Sequence, residues 1–451
     1  KLDFKADCET VGFKYSKEYV TIDNLWKEWG IGEVDLTSTG MHDVDLSAGN
    51  AISLTAEGLT GTIKGVSVDD GELIAVNDGN ISLSGSTLTA DKAVWESLGL
   101  GEHTLYVHTT ENIYKLNTTV ATKVIASYND LKAIANDLSG YYVMSADIDA
   151  VNDAYLEINN FAGTLDGRGH AVSNLKVYQG GLFLNLKAAA VKNLALLNVV
   201  NAHTTNGAAL AWGVSGTDLE NLVITSDNCV KVAQELNTGA TATNCLVIMA
   251  QGKHFVDVGS PWAASSAYTD VYTVMGNASG DKAGLCNGAF SSTWTNCASY
   301  ADINALIEAG TVGPCTVVSG TLYYGDHVIA MVNHDLVVGE DAVIEATGMT
   351  GTLLGISVDG GEMVTAADGN MSLADNQLTI TSAILQSLGK GEHTLYVHTS
   401  NRNYQMKVTL VTGVITSYND LKAIINDLSG YYILGADIDA AAESSLEINN
   451  F

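Results

Sequence analysis

Two hydrophobic rhythms alternate along the chain. Between about residues 43 and 125, apolar side chains fall on alternate positions of short runs: TIKGVSV (62–68), GELIAV (71–76), NISL (80–83), HTLYVHT (103–109) and YKLNTTVATKVI (114–125). A period of two puts successive side chains on opposite faces, so each run reads as a strand with one face against a core. Gly, Asn and Asp separate the runs, and NDGN (77–80) predicts a hairpin turn between two strands. About seven short strands in about 80 residues predict an immunoglobulin-like sandwich. ADKAVWESLG (90–99) adds one or two helical turns between strands.

From Ser127 the rhythm changes. In SYNDLKAIANDLSG (127–140), Leu131, Ile134 and Leu138 share one helical face, Ser127 is placed to cap with Asp130, and Gly140 supplies the stop. Beyond this helix a short motif recurs as SNLKV (173–177), KNLAL (192–196), ENLVI (220–224), TNCLV (243–247), TDVYT (269–273) and TNCAS (295–299). Its Asn or Asp positions are 174, 193, 221, 244, 270 and 296, in steps of 19, 28, 23, 26 and 26. Such steps fit one coil of a parallel β-helix, with each turn Asn stacked on the next and the following apolar residue pointing inward. The helix then caps the open end of the coil and hides a sheet edge.

The pattern is used twice. Residues 51–161 align with 341–451 without a gap, and 62 of the 111 positions are identical, among them GEHTLYVHT at 101–109 and 391–399. Strands, turns and helix all recur, so the repetition concerns architecture rather than a grafted motif. The chain divides into an N-terminal segment (1–42, the end of a preceding module), a first sandwich (43–125), a β-helix (126–299), a connecting segment (300–332), a second sandwich (333–415) and the incomplete start of a second β-helix (416–451). Phe451 aligns with Phe161, inside a first coil too short to bury a core. The expectation is that a longer product continues the coil or that another copy completes it. An opening Lys agrees with a processed product or a piece of something longer.

Composition narrows the partners. With 46% hydrophobic residues the chain folds, and 45 glycines against two prolines suit a β-rich, turn-rich class. Lys and Arg number 21 against 51 Asp and Glu, and the resulting charge of −30 repels phosphate and anionic lipid, so no nucleic-acid partner is expected. No apolar stretch reaches the roughly 18 residues that span a bilayer, so the chain is not expected to be membrane-embedded. The cysteines (8, 229, 245, 286, 297 and 315) show no metal spacing. Cys245 and Cys297 share a register two coils apart, about 9.6 Å, too far for a disulfide. They are expected as buried thiols, while Cys286 with Cys297, or Cys8 with Cys229 or Cys315, remain open pairings.

At this point the residues resemble a known family. YYVMSADIDA (141–150), INNFAGTLDGRGHAVSNLKV (158–177), GGLFLNL (180–186) and AAVKNLALLNV (189–199) are similar to the right-handed β-helix segments of large bacterial surface proteins, including those with the GLUG motif. GLFLNL departs from the usual GLFG. The resemblance implies an extracellular or cell-surface location and a structural or adhesive role. The fold class is then all-β: immunoglobulin-like sandwiches alternating with a right-handed parallel β-helix capped by a short α-helix.

Candidate chemistry is sparse. His103 and His108 lie on opposite faces of one strand and cannot share a metal within it. In LDGRGH (165–170), Asp166, Arg168 and His170 are close enough for a polysaccharide-cleaving site, yet the string also meets the demands of a tight turn. Asp147, Asp149 and Asp153 in ADIDAVND are candidate calcium ligands, and no other cofactor is expected. The tryptophans (26, 29, 95, 212, 262 and 294) share no register that would make a sugar platform. The function expected is a non-enzymatic repeat protein acting as a stalk, fibre or adhesin, with head-to-tail assembly into a filament as a further expectation. Its expected partners are other copies, further repeats, or a host surface or glycan. A carbohydrate-binding or carbohydrate-cleaving β-helix and a trimeric phage tail spike or fibre are the alternatives.

Overall fold

The computed structural model describes residues 33–438, apart from 70, 179, 203–206, 237–238, 258–265, 280–281, 288–291, 310–313, 319–320, 325–328, 331–333, 347–348, 350, 360, 362, 367–368, 400–402 and 437. Cys8, Trp26, Trp29, Trp262 and most of the anticipated second β-helix lie outside the described residues.

The first rhythm builds a two-sheet sandwich. Its strands are β1 (Glu33–Asp35), β2 (Met41–Asp45), β3 (Ala51–Thr55), β4 (Ile63–Val68), β5 (Ile74–Ala75), β6 (Ile81–Ser84), β7 (Thr87–Asp91), β8 (Gly101–Thr109) and β9 (Ile113–Ala121). One sheet runs β1-β9-β8-β4-β5, with β2 also on β9, and the other runs β3-β7-β6. Leu105, Val107, Leu116 and Val120 of the first sheet meet Ile52, Leu54, Ile81 and Leu88 of the second in one buried cluster. Helix α1 (Lys92–Leu98) inserts Trp95, wholly buried, and its indole N–H donates to the Ile52 carbonyl at 3.1 Å. A buried indole needs that partner.

Two readings change here. NDGN is not a hairpin turn: β5 pairs with β4 and β6 with β7, so the turn carries the chain from one sheet to the other. The hairpin is the two-residue Gly85–Ser86 link between β6 and β7, with Gly85 at φ 57°. The sandwich also begins at β1, whose parallel pairing with β9 lies upstream of residue 43.

The second rhythm winds a β-solenoid of about five turns. Its long sheet stacks Lys123–Ile125, Tyr141–Met144, Thr164–Asp166, Ala190–Leu197, Asp218–Ser226, Thr241–Met249, Ala267–Met275 and Thr293–Thr295. All these pairs are parallel, so Leu165, Val191, Leu219, Ala242 and Tyr268 fall in one inward column. A second parallel sheet runs from Phe183–Lys187 to Gly284–Asn287 and closes the coil. Helix α2 (Tyr128–Ala133) caps the end as its pattern predicted. The Ser127 side chain accepts from the Asp130 amide, and Tyr128, Leu131 and Ile134 join the solenoid core.

A ladder of side-chain amides runs along one corner. Asn193 donates to Asp166 at 3.0 Å, Asn221 to Asn193 at 2.9 Å, Asn244 to Asn221 at 2.7 Å, and Asn296 to Asp270. Asn193, Asn221, Asn244, Asp270 and Asn296 all sit at φ between 52 and 54°. That left-handed conformation suits Asn because its short amide bonds locally. Asn174 belongs to another corner, where it receives Asn198 at 2.6 Å and itself donates to Asp149 at 2.8 Å. The step of 19 therefore crossed between corners.

Asp270 interrupts the relay, because a carboxylate can accept from Asn296 but has no proton to give Asn244. Asp270→Asn supplies the missing donor and suits the left-handed backbone equally well. We expect it to raise the unfolding free energy by about 1 kcal/mol, read from urea denaturation at unchanged m-value.

The second sandwich repeats the first. His334–Val337, Asn403–Val411, Gly391–Thr399, Leu353–Val358 and Val364–Thr365 form one sheet, and Ala342–Glu345, Gln377–Ile380 and Met371–Ala374 the other. Gly413–Ile415 then pairs in parallel with Tyr432–Leu434 across a Ser417-capped helix, as at the start of the solenoid.

Candidate functional site at the sandwich and solenoid junction

LDGRGH lies where the first sandwich meets the first coils. Gly167 is required there, since a Cβ would come within 2.3 Å of the Asn193 carbonyl oxygen, and Gly169 has φ 79°. The turn aims Arg168 at the sandwich. Its Nη1 lies 2.8 Å from Asp43 Oδ1, and its Nη2 donates to Thr119 Oγ1. Lys192, one coil on, reaches Asp166 at 3.3 Å and Glu102 at 3.5 Å. Strand register places the sandwich partners: Asp43 on β2 and Glu102 on β8 both lie opposite Thr119 on β9, so carboxylate, hydroxyl and carboxylate form a row.

Asp166 is the hub. Its side chain is 3% exposed, and besides Lys192 it accepts from the Arg168 amide at 2.9 Å and from Asn193 at 3.0 Å. Burial works against the Lys192 ammonium, but Asp166, Tyr141 and Glu102 outweigh it and hold the pKa above the ordinary lysine value. Burial pushes the Asp43 carboxyl up despite Arg168. Burial, with Arg168 alongside, pulls His170 down to about 4. Asp166 is thus saturated and Arg168 paired, while His170 turns its Nδ1 to Asp147 at 3.2 Å. The three side chains of the hydrolase reading thus pair with three different residues: Asp166 with Lys192, Arg168 with Asp43 and His170 with Asp147.

The candidate calcium ligands also lie apart in their bonding. Asp147 accepts from the Ala171 amide at 2.8 Å, Asp149 from Val151 and Asn174 at 3.1 and 2.8 Å, and the Asp153 carbonyl from Lys176 at 3.1 Å. Among the described residues, no three His, Cys, Asp or Glu side chains gather as a metal site.

The repeated histidines have repeated partners. His103 pairs with Asp69 and His393 with Asp359, at 3.1 and 2.7 Å. His108 meets Ser67 and His398 meets Ser357, at 3.0 and 2.9 Å. Leu105 and Val107 are wholly buried, as their face predicted, and His108, on the other face, is buried too. The residue of GEHTLYVHT that acts at the junction is Glu102. Cys229, Cys245 and Cys286 are buried free thiols, and Cys297 is a half-buried one.

Sequence reasoning missed Asp43, Glu102, Thr119 and Lys192 as one unit. They come from four strands, and only the register across β2, β9 and β8 brings the sandwich members together.

No curated protein matches the chain. The N-terminal region of the M26 IgA1-specific metallo-endopeptidases matches residues 101–241, from the first residue of β8, through α2, to the start of the strand Thr241–Met249. The matched family is not the GLUG one, and it corrects the expectation of a non-enzymatic stalk, fibre or adhesin: over its junction and first coils, the chain is similar to part of a peptidase family.

Proposed function

We propose that this chain is a substrate-engaging arm of a metallo-endopeptidase-type protein acting outside the cell. The observation that carries the reading is the extent of the family match: residues 101–241 take in Arg168, Lys192 and Asp166 on the solenoid side of the junction and Glu102 on its sandwich side. An arm of fixed geometry can hold a protein substrate at a set distance from a catalytic centre. Within the same proposal the sandwiches are immunoglobulin-like modules, supported by the two-sheet core and the strand count.

Peptidase zinc sites of the H-E-x-x-H type place two histidines one helical turn apart. This sequence contains no such string, and His103, His108, His170, His393 and His398 each bond a neighbouring side chain. The described residues do not fit a catalytic metal, so no bond-breaking step is assigned to them.

Immunoglobulin A1, the substrate in the matched family's name, is the first candidate ligand. With the full chain immobilised, IgA1 is expected to bind saturably and to elute with intact heavy chains, while immunoglobulin G washes through. Equal retention of both, or of neither, overturns substrate engagement. IgA1 fragments released by the chain alone overturn the assignment of cleavage elsewhere.

A further inference from the structure

The two ends of the solenoid are finished differently. At the first coil, Tyr128, Leu131 and Ile134 of the cap are buried against the core. Among the described residues the last coil has no such cap. Thr293–Thr295 and Ala298–Tyr300 both pair with Ala267–Met275, and Gly284–Asn287 pairs with His254–Asp257, but no described strand stacks beyond these three. Helix α3 (Ile303–Glu308) follows, yet its one buried side chain, Leu306, joins Val223, Leu246 and Tyr272 on the outer face of the long sheet. The helix therefore lies along the side of the coil and not over its end.

The open edge shows in the packing. Val191, Leu219, Ala242 and Tyr268 are buried in one inward column, and Leu194, Leu222, Cys245 and Val271 in the next, whereas their successors Trp294 and Cys297 are half-buried. Trp294 stacks on Tyr268 with ring centroids 4.0 Å apart, and the exposed Lys282 ammonium lies 5.4 Å from the indole centroid. Thr293 gives its amide to the Ser266 carbonyl at 3.1 Å, so in a parallel ladder the amide and carbonyl of Trp294 point the other way, off the end of the coil. The amide ladder stops here too. Asn296 donates to Asp270, and its Oδ1 stands where the amide of a further coil would donate.

We infer that this end of the solenoid is a receptor for one extended strand of another polypeptide, added in parallel where a further coil would lie. Main-chain bonds along an open edge supply affinity, and the alternate side chains supply specificity. The preceding coils define the strand that fits. VKNLAL (191–196), LENLVI (219–224) and ATNCLV (242–247) share one register and one order: apolar, outward, Asn, apolar, outward, apolar. A ligand of that order sets its first apolar residue against Trp294, its Asn against Asn296 and its second apolar residue against Cys297. The contact continues the stacking of coil on coil, so the surface it meets fixes its chemistry. It stands apart from the proposed function, because it applies whichever protein supplies the strand.

A capped peptide with the sequence of residues 217–226, TDLENLVITS, tests the site on the full chain. The half-buried Cys297 is the reporter, and its alkylation by iodoacetamide, read by peptide mapping, is expected to slow saturably as the peptide is added. Cys229, Cys245 and Cys286 are expected to stay unmodified throughout, which shows that the chain is folded. A peptide of the same composition in scrambled order is expected to give no protection. Asn221→Asp in the peptide removes the donor to Asn296 and sets a carboxylate against an acceptor, so binding should weaken about tenfold. No protection, equal protection by the scrambled peptide, or indifference to the Asp substitution each overturn the site. Slower alkylation as the chain alone is concentrated would assign the edge to a second copy and overturn it as well. Loss of IgA1 binding would leave these outcomes unchanged, and failure here would leave the IgA1 result standing.

Discussion

Asp166→Asn is expected to lower the unfolding free energy by about 3 kcal/mol. The carboxylate is 3% exposed and is the closer of the two carboxylates paired with Lys192. Removing its charge leaves an ammonium at the junction with only the half-exposed Glu102, and an abandoned buried ion costs far more than a surface pair contributes. Glu102→Gln provides the contrast, because its carboxylate is 47% exposed and its loss should cost under about 1 kcal/mol. Urea denaturation followed by far-ultraviolet circular dichroism measures both. Equal effects of the two substitutions would mean that burial of Asp166 does not govern the junction.

Phe161→Ala is expected to cost about 4 kcal/mol. The ring is fully buried at the first coil, 5.2 Å from the stacked ring of Phe183 and 6.1 Å from Tyr142. Truncation removes both aromatic contacts and leaves a cavity beneath the cap. Hydrogen exchange should then accelerate in Tyr141–Met144 and Thr164–Asp166, while the first sandwich keeps its protection. Uniform acceleration across sandwich and solenoid would instead mean that they unfold as one cooperative unit.

How much of this was legible in the sequence depended on the range of the interaction. The cap at Ser127, the inward column and the thiol character of Cys245 follow from local periodicity, and the fold follows the same rules. The ladder was legible as a motif but not as a geometry, because a turn Asn looks alike at either corner of a coil. NDGN misled for a related reason: a turn dipeptide specifies a reversal, whereas pairing partners decide whether the reversal makes a hairpin. The junction was illegible. Asp43 and Arg168 are separated by most of a sandwich and the cap, and nothing near either residue announces the other. Even the repeated nonapeptide pointed to its histidines, while Glu102 beside them looked like an ordinary surface charge.

The amide ladder has a direction. From Asn244 to Asn193 each amide donates a hydrogen bond toward the preceding coil, and the series ends on Asp166, which can only accept. Such a column tolerates change in quanta: excising 194–221 would bring Asn193 next to the residue that follows Asn221 and preserve both the polarity and the terminus. A cut of half that length would carry the next turn Asn away from this corner and break the column. Solenoid length can therefore drift in whole coils, which would lengthen or shorten the coil stepwise while the junction chemistry at its base stays fixed.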